Sequence, residues 1–270
     1  MLLAILAAIG NRLAAGPLPA MVRQDHEATP SVEELIGRLQ QESQEGRGTH
    51  STAWASGFLP LDEEARFGGG ILGSARPHKS ATLTELVKCG VVALPALIQH
   101  LTDPRPTKLT VGKGFMGRWF SDEYEPRHRD PRRQPPGVNK ESLGTGVSRE
   151  REFETYTLRV GDLCYVAVGQ IVNRRLEAVR YQPSMCLVVN SPVQDLTLAE
   201  AVKADWAGLT AKEHARSLYR DAFDPTNPAA APGALDHLLY YYPATGHSLA
   251  VKLLNRPLFN TTSALDFLLG

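Results

Sequence analysis

The sequence predicts a mainly α-helical protein with a small β-ribbon and a long polar loop inserted through its middle. Three observations carry that reading. Apolar residues recur at helical spacing behind Ser/Thr-x-x-Glu signatures on either side of the middle. Between residues 104 and 155, Pro, Arg, Gly and acidic residues replace that pattern. At both edges of the polar stretch, apolar and polar residues alternate, which is the period of a strand.

The bulk composition bounds the class. A chain of 270 residues has room for one large domain or two small ones and for a packed core. Its 43% hydrophobic and 21% charged residues fit neither a disordered chain nor a multi-span membrane protein. Lys plus Arg and Asp plus Glu are 29 each, so the net charge is zero. That balance argues against a nucleic-acid partner, which needs a basic face to displace counterions. Cys89, Cys164 and Cys186 show no CxxC spacing and read as small core residues. A Cys164–Cys186 disulfide is the alternative in an exported chain.

The organisation divides into residues 1–20, 21–103, 104–160 and 161–270. Leu2 to Ile9 is an apolar run of signal-peptide length, followed by small residues but preceded by no basic residue. A signal there implies an exported or periplasmic protein without a stable transmembrane segment once mature. A true start at Met21 implies a cytoplasmic one. Ser31-x-x-Glu34 opens a helix with Val32, Leu35, Ile36 and Leu39 on one face. Residues 46–80 read mainly as loop, with apolar anchors that include Trp54, Phe58, Leu59 and Leu61. Thr82-x-x-Glu85 opens the next helix, which Gly90 stops. Leu94, Leu97, Ile98 and Leu101 form a further apolar face, with Pro95 in the first turn and Asp103-Pro104 at the end.

The run from Gly90 to Asp103 contains Ala93-Leu94-Pro95-Ala96-Leu97 and closes on Leu101-Thr102-Asp103. It resembles the second half of a HEAT repeat, a Gly followed by an Ala-Leu-Pro-x-Leu helix ending in Leu-x-Asp. The chain as a whole is similar to uncharacterised bacterial proteins with degenerate helical repeats. The resemblance implies degenerate HEAT-like helical hairpins, covers about one repeat and implies no activity.

In the middle, Leu109 and Val111 alternate with polar residues, as do Tyr156, Leu158 and Val160. The two edges are expected to pair as a β-ribbon with the polar loop at its end. Asp162 is expected to cap a helix with Leu163, Val166, Ala167, Ile171 and Val172 facing inward. Tyr181 to Pro192 is either a buried strand or an extended connector. Thr197-x-x-Glu200 and Thr210-x-x-Glu213 open two further helices, the first carrying Leu198, Ala201, Val202 and Trp206 and the second Ala215, Leu218, Tyr219 and Phe223. Asp224 to Gly233 reads as a linker. Helices follow on Leu235, Leu238, Leu239 and Tyr242, on Leu249, Leu253 and Leu254, and behind Ser263-x-x-Asp266. Tyr242 and Trp206 are expected in the core.

Candidate chemistry concentrates in the polar loop. Asp122, Glu125, His128 and Asp130 offer carboxylate and imidazole ligands for a metal, but Arg127, Arg129, Arg132 and Arg133 lie among them and oppose a cation. No bound metal and no cofactor are therefore expected. Trp119, Tyr124, Arg127, Arg129 and Arg132 are the candidate partner contacts, because aromatic and guanidinium groups anchor protein interfaces. Gly112-Lys-Gly-Phe-Met-Gly117 matches GxGxxG in form, without the surrounding βαβ pattern. No HExxH or GxSxG occurs, and the adjacent Asp236 and His237 face different sides of a helix. The functional expectation is a non-enzymatic protein-binding or scaffold module. The alternatives are a hydrolase with a site assembled across the 104–155 loop and the helices, or a ligand-sensing module of the cell envelope.

Overall fold

The computed structural model describes residues 30–43, 58–61, 80–112, 152–153, 155–174, 176–181, 187–224 and 230–254. The architecture below is that of the unit formed from residue 32 onward. Among the described residues it is mainly helical. Helices α1 (Val32–Arg38), α2 (Ala81–Lys88) and α3 (Leu94–Gln99) come first. Strands β1 (Pro106–Gly112), β2 (Glu152–Phe153) and β3 (Thr155–Arg159) lead into α4 (Val160–Val172). Strands β4 (Val179–Tyr181) and β5 (Leu187–Val189) follow, then α5 (Leu196–Trp206), α6 (Ala211–Asp221), α7 (Ala231–Tyr241) and α8 (Pro243–Leu254). None of the described helices is long and apolar enough to cross a membrane.

The expected ribbon is present. β1 pairs antiparallel with β3, with Thr110 opposite Thr157 and Val111 opposite Tyr156. Leu109, Tyr156 and Leu158 turn inward, as the alternation requires, and the hydroxyls of Thr110 and Thr157 meet at 2.9 Å. Val160 departs from the strand reading. It is the first residue of α4, and its N–H donates to the Arg105 carbonyl. A second sheet, in the order β2-β5-β4, is antiparallel throughout. It resolves the 181–192 ambiguity in favour of a strand over Leu187–Val189.

α4 is the centre of the unit. Every residue from Val160 to Val172 except Gln170 is buried. The apolar pattern predicts one inward face, but Cys164, Tyr165 and Val168 are buried too. A helix apolar on all sides is covered on all sides, and here α1, α2, α3 and β3 pack on it. Phe58 and Leu59, from the stretch read as loop, are fully buried in the same core.

Several helix starts differ from their signatures. α2 is capped by Ser80, whose hydroxyl accepts from the Leu83 N–H at 3.1 Å. Thr82 lies inside the helix, and Glu85 pairs instead with Lys88. α5 is capped by Asp195, whose carboxylate accepts from the N–H groups of Thr197 and Leu198. A carboxylate placed two residues before Thr197 reaches both orphan donors, so the helix begins earlier than the Thr-x-x-Glu pattern implies. Asp162 is not the cap of α4 but its third residue, and it accepts the Arg159 N–H at 2.8 Å. Thr210 and Glu213 do form the expected capping box on α6. That helix buries His214, Ser217, Leu218 and Asp221, a face rotated from the expected one towards polar residues. The 224–233 linker is shorter than expected, because α7 starts at Ala231 with Pro232 in its first turn, where its missing N–H costs nothing. Gly90 does end α2, with φ at 59°, and a side chain there would meet the Tyr241 ring.

Candidate functional site

Residues Trp119, Asp122, Tyr124, Glu125, Arg127, His128, Arg129, Asp130 and Arg132 lie outside the described residues, as do the N-terminal apolar run, Cys186, the Ser263-x-x-Asp266 helix and the GxGxxG match beyond Gly112. Polar chemistry in the described part gathers in three places.

The first is the C-terminal end of α4. Asn173 takes the left-handed conformation, φ 57°, and its N–H and that of Arg174 both bond the Gly169 carbonyl. The carbonyls of the last turn then lack helical partners. Side chains from two later helices supply them. His237 of α7 places Nε2 at 2.5 Å from the Gln170 carbonyl. His214 of α6 places Nε2 at 2.9 Å from the Ile171 carbonyl. The Arg174 guanidinium reaches the Val172 and Asn173 carbonyls and forms a two-pronged ion pair with Asp221. It also lies over the Trp206 ring at 5.5 Å. Trp206 and Tyr242, both expected in the core, are half-buried.

The two imidazoles differ in their second nitrogen. His214 Nδ1 faces the Tyr242 hydroxyl at 2.9 Å. A carbonyl only accepts, so Nε2 carries the proton and Nδ1 accepts from the tyrosine. His237 Nδ1 faces a second carbonyl, that of Gly233, at 2.6 Å. Its ring also stacks on Phe58 with centroids 3.9 Å apart. Burial pushes both histidines down from 6.5 to about 4, against the bonds to Ile171, Gln170 and Gly233 that favour the proton.

The second place is the start of α4. The fully buried Asp162 carboxylate accepts from the Tyr156 hydroxyl at 2.9 Å, from the Arg159 N–H and from the Ser191 hydroxyl. Burial raises its pKa and these three donors oppose that. The node ties β3, α4 and the turn before α5 together.

The third is half-exposed. His100, after α3, places Nδ1 at 3.0 Å from Asp103 and Nε2 at 3.0 Å from Glu33 of α1. Asp103 also holds the Arg105 guanidinium. Burial would raise the Asp103 carboxyl, but Arg105 and His100 outweigh it and hold it at about 2.

Chemically, these groups can cap, pair and orient. Both described cysteines are free thiols, Cys164 fully buried, and burial raises the pKa of each, which opposes a thiolate. Among the described residues no three His, Cys, Asp or Glu side chains gather as metal ligands. The signal that sequence reasoning missed at α4 is faint: His237 sits among the apolar residues of its helix, where a buried polar group needs a partner, and His214 shares a mostly polar face with Ser217 and Asp221. No protein-family model matches this chain, and neither a curated protein nor a solved structure does.

Proposed function

We propose that the chain is a non-enzymatic binding or scaffold module for a protein partner, built from degenerate HEAT-like hairpins. The observation that supports this best is the use made of its buried ionisable groups. His214, His237, Asp162 and Arg174 with Asp221 each bond helix ends, strands or one another, so they serve the architecture. Sequential helices also pack as neighbours, α1 on α2, α6 on α7 and α7 on α8. Stacks of this kind present broad surfaces to other proteins.

The test is an affinity pull-down of the full-length protein from its native extract, beside a variant carrying Trp119→Ala, Tyr124→Ala and Arg129→Glu. A stoichiometric protein partner captured by the first and lost by the second is the expected result. Recovery of the protein alone contradicts the proposal.

A further inference from the structure

The helices around α4 receive a short piece of chain from outside the helical pattern. Phe58 and Leu59 belong to a turn closed by the Leu61 N–H on the Phe58 carbonyl at 3.0 Å. Both side chains are fully buried, while Pro60 and Leu61 are half-buried. The sequence puts 14 residues between this turn and residue 43, and 18 between it and residue 80. Chain of that length can span about 45 Å or more, so covalent connection alone does not fix the turn where it sits.

Its seat is built from α4 and α7. The Phe58 ring stacks on His237 with centroids 3.9 Å apart and meets the Tyr240 and Tyr241 rings edge-on at 5.4 and 5.5 Å. The Leu59 N–H donates to Gln170 Oε1 at 3.1 Å. Among the described residues that is the turn's one hydrogen bond to another element, and Gln170 is the one residue of α4 that is not buried. The walls of the seat are held without the turn. His237 bonds the Gln170 and Gly233 carbonyls. Tyr241 donates to the Val87 carbonyl, and its ring lies against Gly90, where an added side chain would meet it. Walls fixed by their own bonds keep their shape when the occupant changes, which lowers the cost of binding. What the seat reads is an aromatic ring, the aliphatic side chain next to it and one backbone N–H, and buried aromatic anchors carry much of the energy of protein contacts.

We propose that residues 58–61 are a built-in ligand, seated in a socket of Gln170, His237, Tyr240 and Tyr241 that takes an aromatic–aliphatic segment of a protein partner in exchange. The partner's segment presents an aromatic residue followed by an aliphatic one from a turn, and it competes with a ligand tethered to the site. The nature of the competitor rests on the protein-binding reading above. A peptide of this chain tests the socket without that competitor, so its failure leaves the protein-binding reading standing.

NMR follows a synthetic peptide of residues 56–63 added to the full-length double variant Phe58→Ala/Leu59→Ala, whose own turn has lost both anchors. Saturable binding with a Kd of about 1 mM or tighter, shifting the His237 and Tyr241 ring signals, is the expected result. The native chain should bind the same peptide at least about tenfold more weakly, because its tethered turn competes. A peptide carrying Phe58→Ala should not bind. No binding to a folded double variant overturns the proposal, as does equal binding to both chains. Should the double variant not fold, hydrogen exchange of the native chain decides at the Leu59 amide. A turn that leaves its seat on its own exchanges there at least about tenfold faster than the amides of α4 and α7, and exchange in step with those helices makes it fixed core and overturns the proposal.

Discussion

Asp162 is a carboxylate with three donors and no solvent contact. Replacing it by Ala removes the acceptor shared by the Tyr156 and Ser191 hydroxyls and the Arg159 N–H inside the protein. Asp162→Ala should therefore cost about 3 kcal/mol or more, read as a lower midpoint in urea unfolding. Asp162→Asn keeps the shape and part of the accepting capacity, so it should cost less. A loss below about 1 kcal/mol for the Ala variant would contradict the burial and bonding given to this group. Little of this was legible in the sequence, where Asp162 looked like a helix cap. Its true role depends on Ser191, 29 residues away, and spacing rules see only neighbours. The same holds for His214 and His237, whose partners at Ile171 and Gln170 are 43 and 67 residues distant.

At the scale of elements, local signatures gave helix existence well and helix starts unevenly. The Thr210-x-x-Glu213 box formed as written because no better acceptor precedes it, whereas Ser80 and Asp195 outcompeted the Thr residues behind them. Thr210→Ala should lower stability by about 1 kcal/mol, seen as a drop in thermal midpoint by circular dichroism. The ribbon between β1 and β3 was readable because a buried face imposes strict alternation. The sheet of β2, β4 and β5 was not, since strands of two or three residues carry no period. Two glycines test how the helices pack. In α4, a Cβ on Gly161 would sit 2.3 Å from the Leu101 carbonyl oxygen, so Gly161→Ala must push α3 and α4 apart and should destabilise by several kcal/mol, on the order of 3. In α1, Gly37 has nothing within 4 Å, and Gly37→Ala should stabilise by about 0.5–1 kcal/mol. Both signs are checked by the same unfolding experiment, and equal effects would refute the packing described.

For the molecule, the organising feature is a helix held at both ends. The start of α4 is fastened by the Asp103 and Arg105 carbonyls and by the Asp162 node, and its end by His214, His237 and Arg174. Helices from before and after it in the chain pack on its length or cap its end. The sequence predicts an apolar helix behind Asp162 but not that it is central, because centrality is a matter of which other segments arrive. Candidate contacts in the polar loop, from Trp119 to Arg132, lie outside the described residues, so the site that sequence chemistry favoured and the clusters that geometry reveals are different places. The most direct test is native-state hydrogen exchange at neutral pH, residue by residue. The amides of Leu163 to Val172 should exchange slowest, near the rate set by global unfolding, and those of the exposed side of α8 far faster. Exchange of α4 at the rate of α8 would contradict a molecule built around α4.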